Sequence, residues 1–456
     1  MKFINRTEEI AELRGLASLS KKKLFVIAIY GLRRVGKTRL LLEFMGKDGA
    51  YFFVNKNKTS KDLLAEFQEL LKAKKVLGEL EALDSWDTFF RLIITRGISP
   101  VVFDEFQNFA FVEPSVFGIL QKNIDLNEEK HGLIILSGSL IGLVKKLFEG
   151  SKEPLYGRIK SSKKLEPLSL SSCFKIGKEL ELKKEELLKV YFLFGGYPKY
   201  YVTIEDFNLK GKTAEEIVGL LFLSKNAPLE DEVSSILSQE FGGRSGIYYS
   251  ILEAIATGNN RLSAIAGYLN VQPTSITRQI NELVNIFELI KLEMPYEGKR
   301  GIYKIEHPLL NFWFSQIYKN FSDYAARDPE FVKSVGKGLN SFYGKGFERA
   351  AAEFLSSKLG LVGRRQWGKI PMVREGESTY EIDFIGKREG LTYVFEFKWQ
   401  ELSYKEAAGI LEAVEIKAKH VTRLGPRIRF GIIAKKIADK QKLNDAGHIA
   451  YDLDDF

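Results

Sequence analysis

Residues 31–38 have the types and spacing that binding of a nucleotide phosphate requires. They read Gly31-Leu32-Arg33-Arg34-Val35-Gly36-Lys37-Thr38, and Arg39 follows them. Glycine lets the backbone turn so that successive amides face phosphate, the Lys37 ammonium reaches the β- and γ-phosphates, and the Thr38 hydroxyl binds Mg²⁺. The loop predicts a site for ATP and Mg²⁺; a chance match in a basic loop is the alternative. The predicted nucleotide-binding residues are Gly31, Arg33, Arg34, Val35, Gly36, Lys37, Thr38 and Arg39.

An acid pair follows the apolar residues of the stretch 99–108, SPVVFDEFQN. At the end of a parallel strand, Asp104 is placed to hold Mg²⁺ through water. Glu105 is placed to orient or deprotonate the water that attacks the γ-phosphate. The pair favours hydrolysis over binding alone. Its alternative is two solvated acids at a strand end.

Two more residues are candidates for contact with the γ-phosphate. Ser137 follows the apolar run 133–136, so we expect its hydroxyl at the same sheet edge. The alternative for Ser137, and equally for Ser139, is to cap the helix that follows. Arg158 is a candidate arginine finger, and its alternative is a structural ion pair with a carboxylate.

A second group of reactive side chains lies near the C-terminus, where Glu396 and Lys398 follow Asp383. Side chains alternate along a strand, so Glu396 and Lys398 share a face, and a hairpin gathers them with Asp383. Carboxylates on rigid strands suit Mg²⁺ or Mn²⁺, and Lys398 is expected to orient water or stabilise phosphate charge. Glu348 is a further candidate ligand. The alternative is an acidic hairpin with a solvated face. The predicted metal ligands are Thr38 and Asp104 at the first site, and Glu348, Asp383 and Glu396 at the second.

Periodic patterns predict the elements that position both groups. The apolar run Leu24–Tyr30 predicts a strand buried on both faces of a parallel sheet, and residues 39–45 predict the helix after the phosphate loop. Towards the C-terminus the patterns predict a helix at 344–359, a strand at 361–367 and a hairpin at 381–385 and 393–399.

The middle of the chain has the pattern of a helix-turn-helix followed by a hairpin. Helical patterns cover 247–256, 262–269 and 274–286, and strand patterns cover 289–293 and 301–305. This order predicts a winged helix, with Arg278 and Gln279 facing DNA and the wing residues Lys299 and Arg300 on phosphate. A winged helix that serves only for packing is the alternative.

Composition excludes several classes of protein. The 456 residues include 68 Lys+Arg and 59 Asp+Glu, a net charge of +9 that favours an anionic partner such as DNA. The one cysteine, Cys173, excludes a disulfide scaffold and a zinc ribbon. No apolar run approaches the roughly 18 residues of a membrane span, so we expect a cytoplasmic protein without a membrane partner.

The motifs MKFINRTEEIAEL, YGLRRVGKT, VVFDEFQN, LSGS, LYGR and FGGYPKY occur in this order. Together they resemble the archaeal P-loop ATPase family of AAA+ and STAND type. The resemblance implies that residues 3–6 pack near the adenine. It also implies that Pro198, in Gly195-Gly196-Tyr197-Pro198, contacts nucleotide from a helical lid, and that Arg158 is a finger acting within the chain or on a neighbouring copy.

The C-terminal pattern, with the upstream Glu348, resembles the PD-(D/E)xK nuclease superfamily. Its combination with the ATPase resembles archaeal ATPases that carry the domain of unknown function 234. Glu381 and Ile382 precede Asp383 where that superfamily has a proline. The resemblance implies metal-dependent cleavage of nucleic acid.

We therefore expect an α/β multidomain protein. Its predicted parts are a parallel-sheet P-loop ATPase core at 1–170, a helical lid at 171–243, a winged helix at 244–310, a helical linker at 311–345 and an α/β restriction-endonuclease-like domain at 346–456. The expected function is ATP hydrolysis coupled to DNA binding and Mg²⁺-dependent cleavage, in a monomer or a homo-oligomer. The alternatives are a STAND-type switch or DNA-binding regulator with a silent nuclease-like domain, and an ATPase that acts on protein partners.

Overall fold

A computed structural model describes residues 3–47, 49–241, 245–370 and 378–456. The chain forms two compact units. The first runs to Leu168 and also includes Tyr197–Val202 and Asn285–Glu288. The second consists of Ser169–Gly196, Thr203–Val284 and Leu289–Phe456. Each unit therefore contains segments that are distant in sequence.

The first unit is a parallel sheet with helices on both faces. Its strands are β1 (Leu24–Tyr30), β2 (Ala50–Phe53), β3 (Val101–Asp104), β4 (Gly132–Gly138) and β5 (Ser161–Lys164). Its helices are α1 (Thr7–Leu19), α2 (Lys37–Met45), α3 (Ser60–Ala73), α4 (Trp86–Thr95), α5 (Phe109–Val112), α6 (Val116–Leu126) and α7 (Ile141–Glu149). The strand order is β2-β3-β4-β1-β5, with parallel pairing throughout.

Two apolar layers bury this sheet. On one face, the Phe52 ring packs against Phe67, Phe89 and Phe103. On the other face, residues of β1 and β4 pack with Leu40 and Leu41 of α2. Burial on both faces explains why β1 and β4 are continuous apolar runs. The parallel pairing of the strands places the carboxyl ends of β1, β3 and β4 at one edge, where the phosphate loop begins.

The second unit contains the remaining elements. Its helices are α8 (Leu170–Glu179), α9 (Lys184–Phe194), α10 (Pro198–Asp206), α11 (Ala214–Val218), α12 (Glu232–Phe241), α13 (Ser245–Ala256), α14 (Leu262–Tyr268), α15 (Pro273–Asn285), α16 (Pro308–Phe312), α17 (Phe321–Ala326), α18 (Pro329–Leu359), α19 (Tyr404–Ala418) and α20 (Lys440–Asp445). Its strands are β6 (Ile290–Glu293), β7 (Ile302–Ile305), β8 (Gly363–Ile370), β9 (Ser378–Arg388), β10 (Leu391–Leu402), β11 (Ile428–Ile437) and β12 (Ile449–Tyr451). The first residues of α10 and the last of α15 belong to the first unit.

A mixed sheet in the order β12-β11-β10-β9-β8 forms the C-terminal part of this unit. Strands β8, β9 and β10 pair antiparallel, whereas β10, β11 and β12 pair parallel. Helix α19 connects β10 to β11 and packs on the sheet through Leu411 and Val414. The sheet thus gives β9 and β10 a rigid, central setting.

The predicted elements of the middle segment agree with the structure, whereas three of the predicted domain boundaries fall inside helices. The helices and strands expected between 247 and 305 are confirmed as α13, α14, α15, β6 and β7. The boundaries 170/171, 310/311 and 345/346 fall inside α8, α16 and α18. The boundary 243/244 lies outside the described residues, and the division into domains stays a prediction. Within the described ranges, no helix combines the length and apolar character that crossing a membrane requires.

Candidate functional site

The phosphate loop joins β1 to α2. Gly36 precedes the first helical residue with φ 94°, and the Lys37 ammonium donates to the carbonyl oxygens of Gly31 and Leu32 at 2.8 and 3.2 Å. A Cβ on Gly31 would lie 2.5 Å from the carbonyl oxygen of Leu165. Only glycine therefore fits at the start of this loop, and the buried ammonium is held beside its backbone.

Asp104, at the end of β3, forms hydrogen bonds with a residue of β2 and with the last residue of the phosphate loop. Its Oδ2 accepts hydrogen bonds from the Thr38 hydroxyl at 2.6 Å and the Tyr51 hydroxyl at 2.8 Å. Burial, followed by the charge of Asp104, raises the pKa of Tyr51 well above its ordinary value, so this hydroxyl stays a donor. A carboxylate beside a Ser/Thr-type hydroxyl is the donor set that Mg²⁺ prefers next to phosphate. The residues present fit the predicted ATP and Mg²⁺.

Glu105 follows in the left-handed conformation, φ 54°. Its amide donates to Asp104 Oδ1 at 3.0 Å, and its carboxylate accepts from the Ser139 hydroxyl at 2.7 Å and from the Gln107 side chain. These contacts orient the carboxylate. The sequence favoured Ser137 over Ser139 for contact with phosphate and gave no signal for the contact of Ser139 with Glu105 or for Tyr51.

Ser137 lies in β4, which is the strand between β3, where Asp104 lies, and β1, which precedes the phosphate loop. It is opposite Ile29 of β1, and it follows Leu136, which is opposite Phe103 of β3. Its hydroxyl is buried and makes no hydrogen bond among the described residues. A buried unsatisfied hydroxyl costs free energy unless a ligand completes it, which fits the predicted contact with phosphate.

The other predicted nucleotide contacts differ in position. Pro198, at the start of α10, has its Cγ 3.6 Å from where a Cβ on Gly36 would lie, so it covers the phosphate loop. Arg39 is exposed, with Glu43 3.9 Å away on the same helix. Of the loop residues, Val35 is buried, Arg33 is half-buried, and Arg34 is exposed with φ 68°.

Arg158 is not at the phosphate loop of its own chain. It forms two hydrogen bonds with Asp125, at 2.8 and 2.9 Å. It precedes β5, which runs parallel to β1 with Ser161 opposite Ile27, so it lies towards the edge where these strands begin. This contact agrees with the alternative of an ion pair with a carboxylate. The phosphate loop follows the other end of β1, so a role of Arg158 as a finger on a neighbouring copy stays a prediction.

Arg6 connects the N-terminal segment to the phosphate loop. Its buried guanidinium donates to the carbonyl oxygens of Val35 at 3.1 Å and Glu166 at 2.8 Å, and it pairs with Glu9 at 2.7 Å. The segment that the resemblance placed near adenine thus holds the backbone of the loop. Its contact with adenine stays a prediction.

In the C-terminal sheet, Asp383 of β9 and Glu396 of β10 come next to the paired residues Phe384 and Phe395. Asp383 Oδ2 accepts from the Phe397 amide at 2.8 Å. Glu396 Oε1 accepts from the ammonium groups of Lys398 at 2.9 Å and Lys417 at 3.1 Å. The structure therefore brings Asp383, Glu396 and Lys398 together. Lys417, on α19, was not predicted.

Burial and charge perturb this group. Burial, then the charges of Glu396 and Glu348, raises the pKa of Asp383 to about 7. Glu396 is buried, and its Oε2 makes no hydrogen bond among the described residues. Two adjacent carboxylates with one unsatisfied oxygen fit a divalent cation, which would relieve their repulsion.

Glu348, the third predicted ligand, pairs with an arginine. Its carboxylate lies 3.5 Å from Arg365 Nη1, and Arg365 also pairs with Glu381. In the described part of the chain, no three His, Cys, Asp or Glu side chains have the arrangement of a metal site. Asp383 and Glu396 are adjacent, whereas Glu348 is engaged by Arg365, so its place in the predicted ligand set stays a prediction.

Comparisons with known proteins match both parts of the chain. Residues 3–204 match a family described as an ATPase domain predominantly from Archaea. Residues 313–410 match archaeal and bacterial proteins of unknown function. An uncharacterized protein of Methanocaldococcus jannaschii is 29% identical over the whole of both chains.

Solved structures are similar to much of the chain. The Walker-type ATPase of Pyrococcus abyssi has a TM-score of 0.54 and 21% identity, and the match covers 68% of this chain and 96% of that one. For the ORC2 protein of Aeropyrum pernix, the TM-score is 0.47 and the identity 14%, over 74% of this chain and 95% of that one. The first of these matches supports the fold of a P-loop ATPase.

Proposed function

Residues 3–204 belong to the predominantly archaeal ATPase domain family, and from this premise we propose that ATP hydrolysis controls the action of the second unit on nucleic acid. Bound Mg²⁺ would neutralise phosphate charge. Lys37 binds the β- and γ-phosphates, Thr38 and Asp104 hold the cation, and Ser137 donates to the γ-phosphate. Glu105, oriented by Ser139, accepts the proton of the attacking water.

In the second unit, we propose a restriction-endonuclease-like domain that cleaves a phosphodiester. The observation that carries this proposal is the contact of Glu396 with Lys398 beside Asp383, on paired central strands. Asp383 and Glu396 would hold Mg²⁺ or Mn²⁺, which would supply positive charge to the phosphate. Lys398 would orient the attacking water or stabilise phosphate charge. Helices α13 to α15 with β6 and β7 would form a winged helix that binds the DNA.

One observation favours a second candidate function, a DNA-binding regulator with a silent nuclease-like domain. Lys417 also contacts the Glu396 oxygen that accepts from Lys398. Two ammonium groups on one carboxylate compensate its charge without a metal ion. In that case ATP binding would switch DNA affinity, and the acid pair would serve only the stability of the sheet.

Cleavage of labelled linear, circular and branched DNA with Mg²⁺ or Mn²⁺, with and without ATP, tests both candidates. We expect Asp383→Ala to abolish cleavage while DNA binding remains, and Lys37→Ala to abolish only the response to ATP. Asp445→Ala, at an exposed position of α20, is the matched control. DNA that stays intact with every metal, although the protein binds it, would establish the regulator instead.

Arg158 enters this proposal only through a second copy of the chain. Its side chain is partly exposed and paired with Asp125, so an approaching γ-phosphate would have to compete with that carboxylate. Loss of hydrolysis in Arg158→Ala, restored by mixing with Lys37→Ala, would indicate a finger supplied by a neighbour.

A further inference from the structure

The turn between β6 and β7 is fixed to the sheet of its own unit through Tyr296. The Tyr296 amide donates to the Arg365 carbonyl of β8 at 2.8 Å, and its hydroxyl donates to the Arg423 carbonyl at 3.0 Å. Lys387 donates to the same Arg423 carbonyl at 2.8 Å, and its ammonium lies 5.9 Å from the centre of the Tyr296 ring. Three chain segments therefore meet at one tyrosine.

Glu297 makes a second connection. Its amide donates to Gln366 Oε1 at 2.7 Å, and its carboxylate accepts from the Thr422 amide at 2.8 Å and from the Thr422 hydroxyl. These bonds from Thr422 lower the pKa of Glu297, so the carboxylate is ionised and engaged at neutral pH. A turn held by hydrogen bonds on both sides has little freedom to move independently of the sheet.

Basic side chains surround this junction. Lys299 and Arg300 of the turn, Lys387 at the end of β9 and Arg423 after α19 are all exposed. We call these four residues the junction surface. The ionised carboxylate of Glu297 lies among these four cationic groups, and four positive charges against one negative charge leave the junction surface with net positive charge.

The junction surface adjoins the strand that carries Asp383. Tyr296 attaches at Arg365, where the pairing of β8 with β9 is irregular between Arg364 and Gln366. Neighbouring strands lie about 4.8 Å apart. A polyanion bound along the junction would therefore run beside β9.

We propose that the junction surface binds the phosphate backbone of a nucleic acid as one rigid unit, with the β6–β7 turn and the C-terminal sheet contributing together. This rests on the proposed action on nucleic acid and specifies where the backbone is held. Four ammonium or guanidinium groups on three segments match a run of phosphates, and such contacts carry no sequence preference. The turn thus does not act as a mobile wing.

Fluorescence anisotropy with short labelled duplex and single-stranded DNA, between about 50 and 200 mM salt, tests the proposal. The variant Lys299→Glu/Arg300→Glu/Lys387→Glu/Arg423→Glu should bind more than about 100-fold more weakly, with a shallower salt dependence, because roughly four phosphate contacts are lost. The matched control Lys319→Glu/Lys337→Glu/Lys345→Glu/Lys358→Glu changes the same charge at exposed positions of other segments and should bind much more tightly than this variant. Equal loss in both variants would overturn the proposal.

The variant Glu297→Ala distinguishes the effect of a rigid turn on DNA binding from the effect of the charge of Glu297. Removing an acid beside phosphate should strengthen binding if charge alone mattered, whereas loss of the connection to Thr422 should weaken it severalfold. Thr422→Val, which leaves the charge unchanged, should weaken binding in the same direction. Tighter binding by Glu297→Ala with no effect of Thr422→Val would overturn the rigid surface. Wild-type protein that binds neither DNA at low salt would overturn the proposed function as well, whereas wild-type binding that survives the four junction changes would overturn this inference alone.

Discussion

Ser139 and Glu105 form a hydrogen bond, and we expect Glu105 to act as the catalytic base and Ser139 to position it. Glu105→Gln keeps the shape of the side chain and removes its basicity, so ATP should still bind while hydrolysis falls by about 10²–10⁴. Ser139→Ala removes one hydrogen bond to a charged group, and kcat should fall roughly tenfold with KM little changed. Steady-state ATPase kinetics and equilibrium binding of a nucleotide analogue measure both effects. Equal loss of binding and turnover in Glu105→Gln would contradict the assignment.

His307 makes stability depend on pH. Burial, then the nearby charge of Arg349, lowers its pKa to about 3. As the pH falls below the ordinary pKa of histidine, His307 takes up a proton in the unfolded chain but stays neutral in the folded chain. The free energy of unfolding should therefore fall by about 2 kcal/mol between pH 7 and 5 through this group.

Denaturant unfolding at both pH values measures this loss. The variant His307→Leu should lack that component, whereas His131→Gln, at an exposed position, should retain it. An unchanged pH dependence in His307→Leu would show that other groups are responsible.

Among single residues, the sequence predicted those whose role depends on their immediate neighbours along the chain. The loop from Gly31 to Thr38 could be predicted because its geometry depends on its own residues. Tyr51 and Lys417 could not, because each reaches its carboxylate only through the pairing of distant elements. The sequence left open whether Arg158 acts within its chain or on a neighbouring copy for the same reason, since no local pattern indicates at which end of the sheet an arginine lies.

Among the elements, the close contact of the phosphate loop with the segment after β5 gives a sharp test. Gly31→Ala would bring a Cβ within 2.5 Å of the Leu165 carbonyl oxygen, so the backbone must shift. We expect a loss of stability of about 1–3 kcal/mol and weaker ATP binding. Gly118→Ala, in α6, meets no atom within 4 Å and should be neutral or stabilising by up to about 1 kcal/mol.

Thermal unfolding and nucleotide titration of the two alanine variants provide the comparison. Wild-type affinity for ATP in Gly31→Ala would contradict the fixed position of the loop beside Leu165.

Element types and pairing within a hairpin followed from periodicity, but the pairing of distant strands did not. The patterns correctly indicated β1, the helices α13 to α15 and the β9–β10 hairpin. The parallel strands β11 and β12 were not predicted. The boundaries inside α8, α16 and α18 show that motif positions do not indicate where a helix begins and ends.

For the whole molecule, the course of the chain predicts cooperative unfolding. The polypeptide passes between the two units after Leu168, Gly196, Val202, Val284 and Glu288. Unfolding of one unit removes segments that the other holds in place, so we expect a single calorimetric transition.

A nonhydrolysable ATP analogue with Mg²⁺ at about 100 times its Kd should add roughly 2.7 kcal/mol to the stability of wild type and not of Lys37→Ala. Two transitions, of which only one responds to the analogue, would contradict this expectation.

The short segments Tyr197–Val202 and Asn285–Glu288 also bear on how such a protein can be inherited. Pro198, which covers Gly36, and Glu288, which pairs with Lys145 and Lys164, are encoded far downstream of the rest of their unit. A single recombination event joining this ATPase to a different C-terminal half would replace these residues with foreign ones. We therefore expect the coding sequences of the two units to be inherited together, without exchange of one unit for that of another protein.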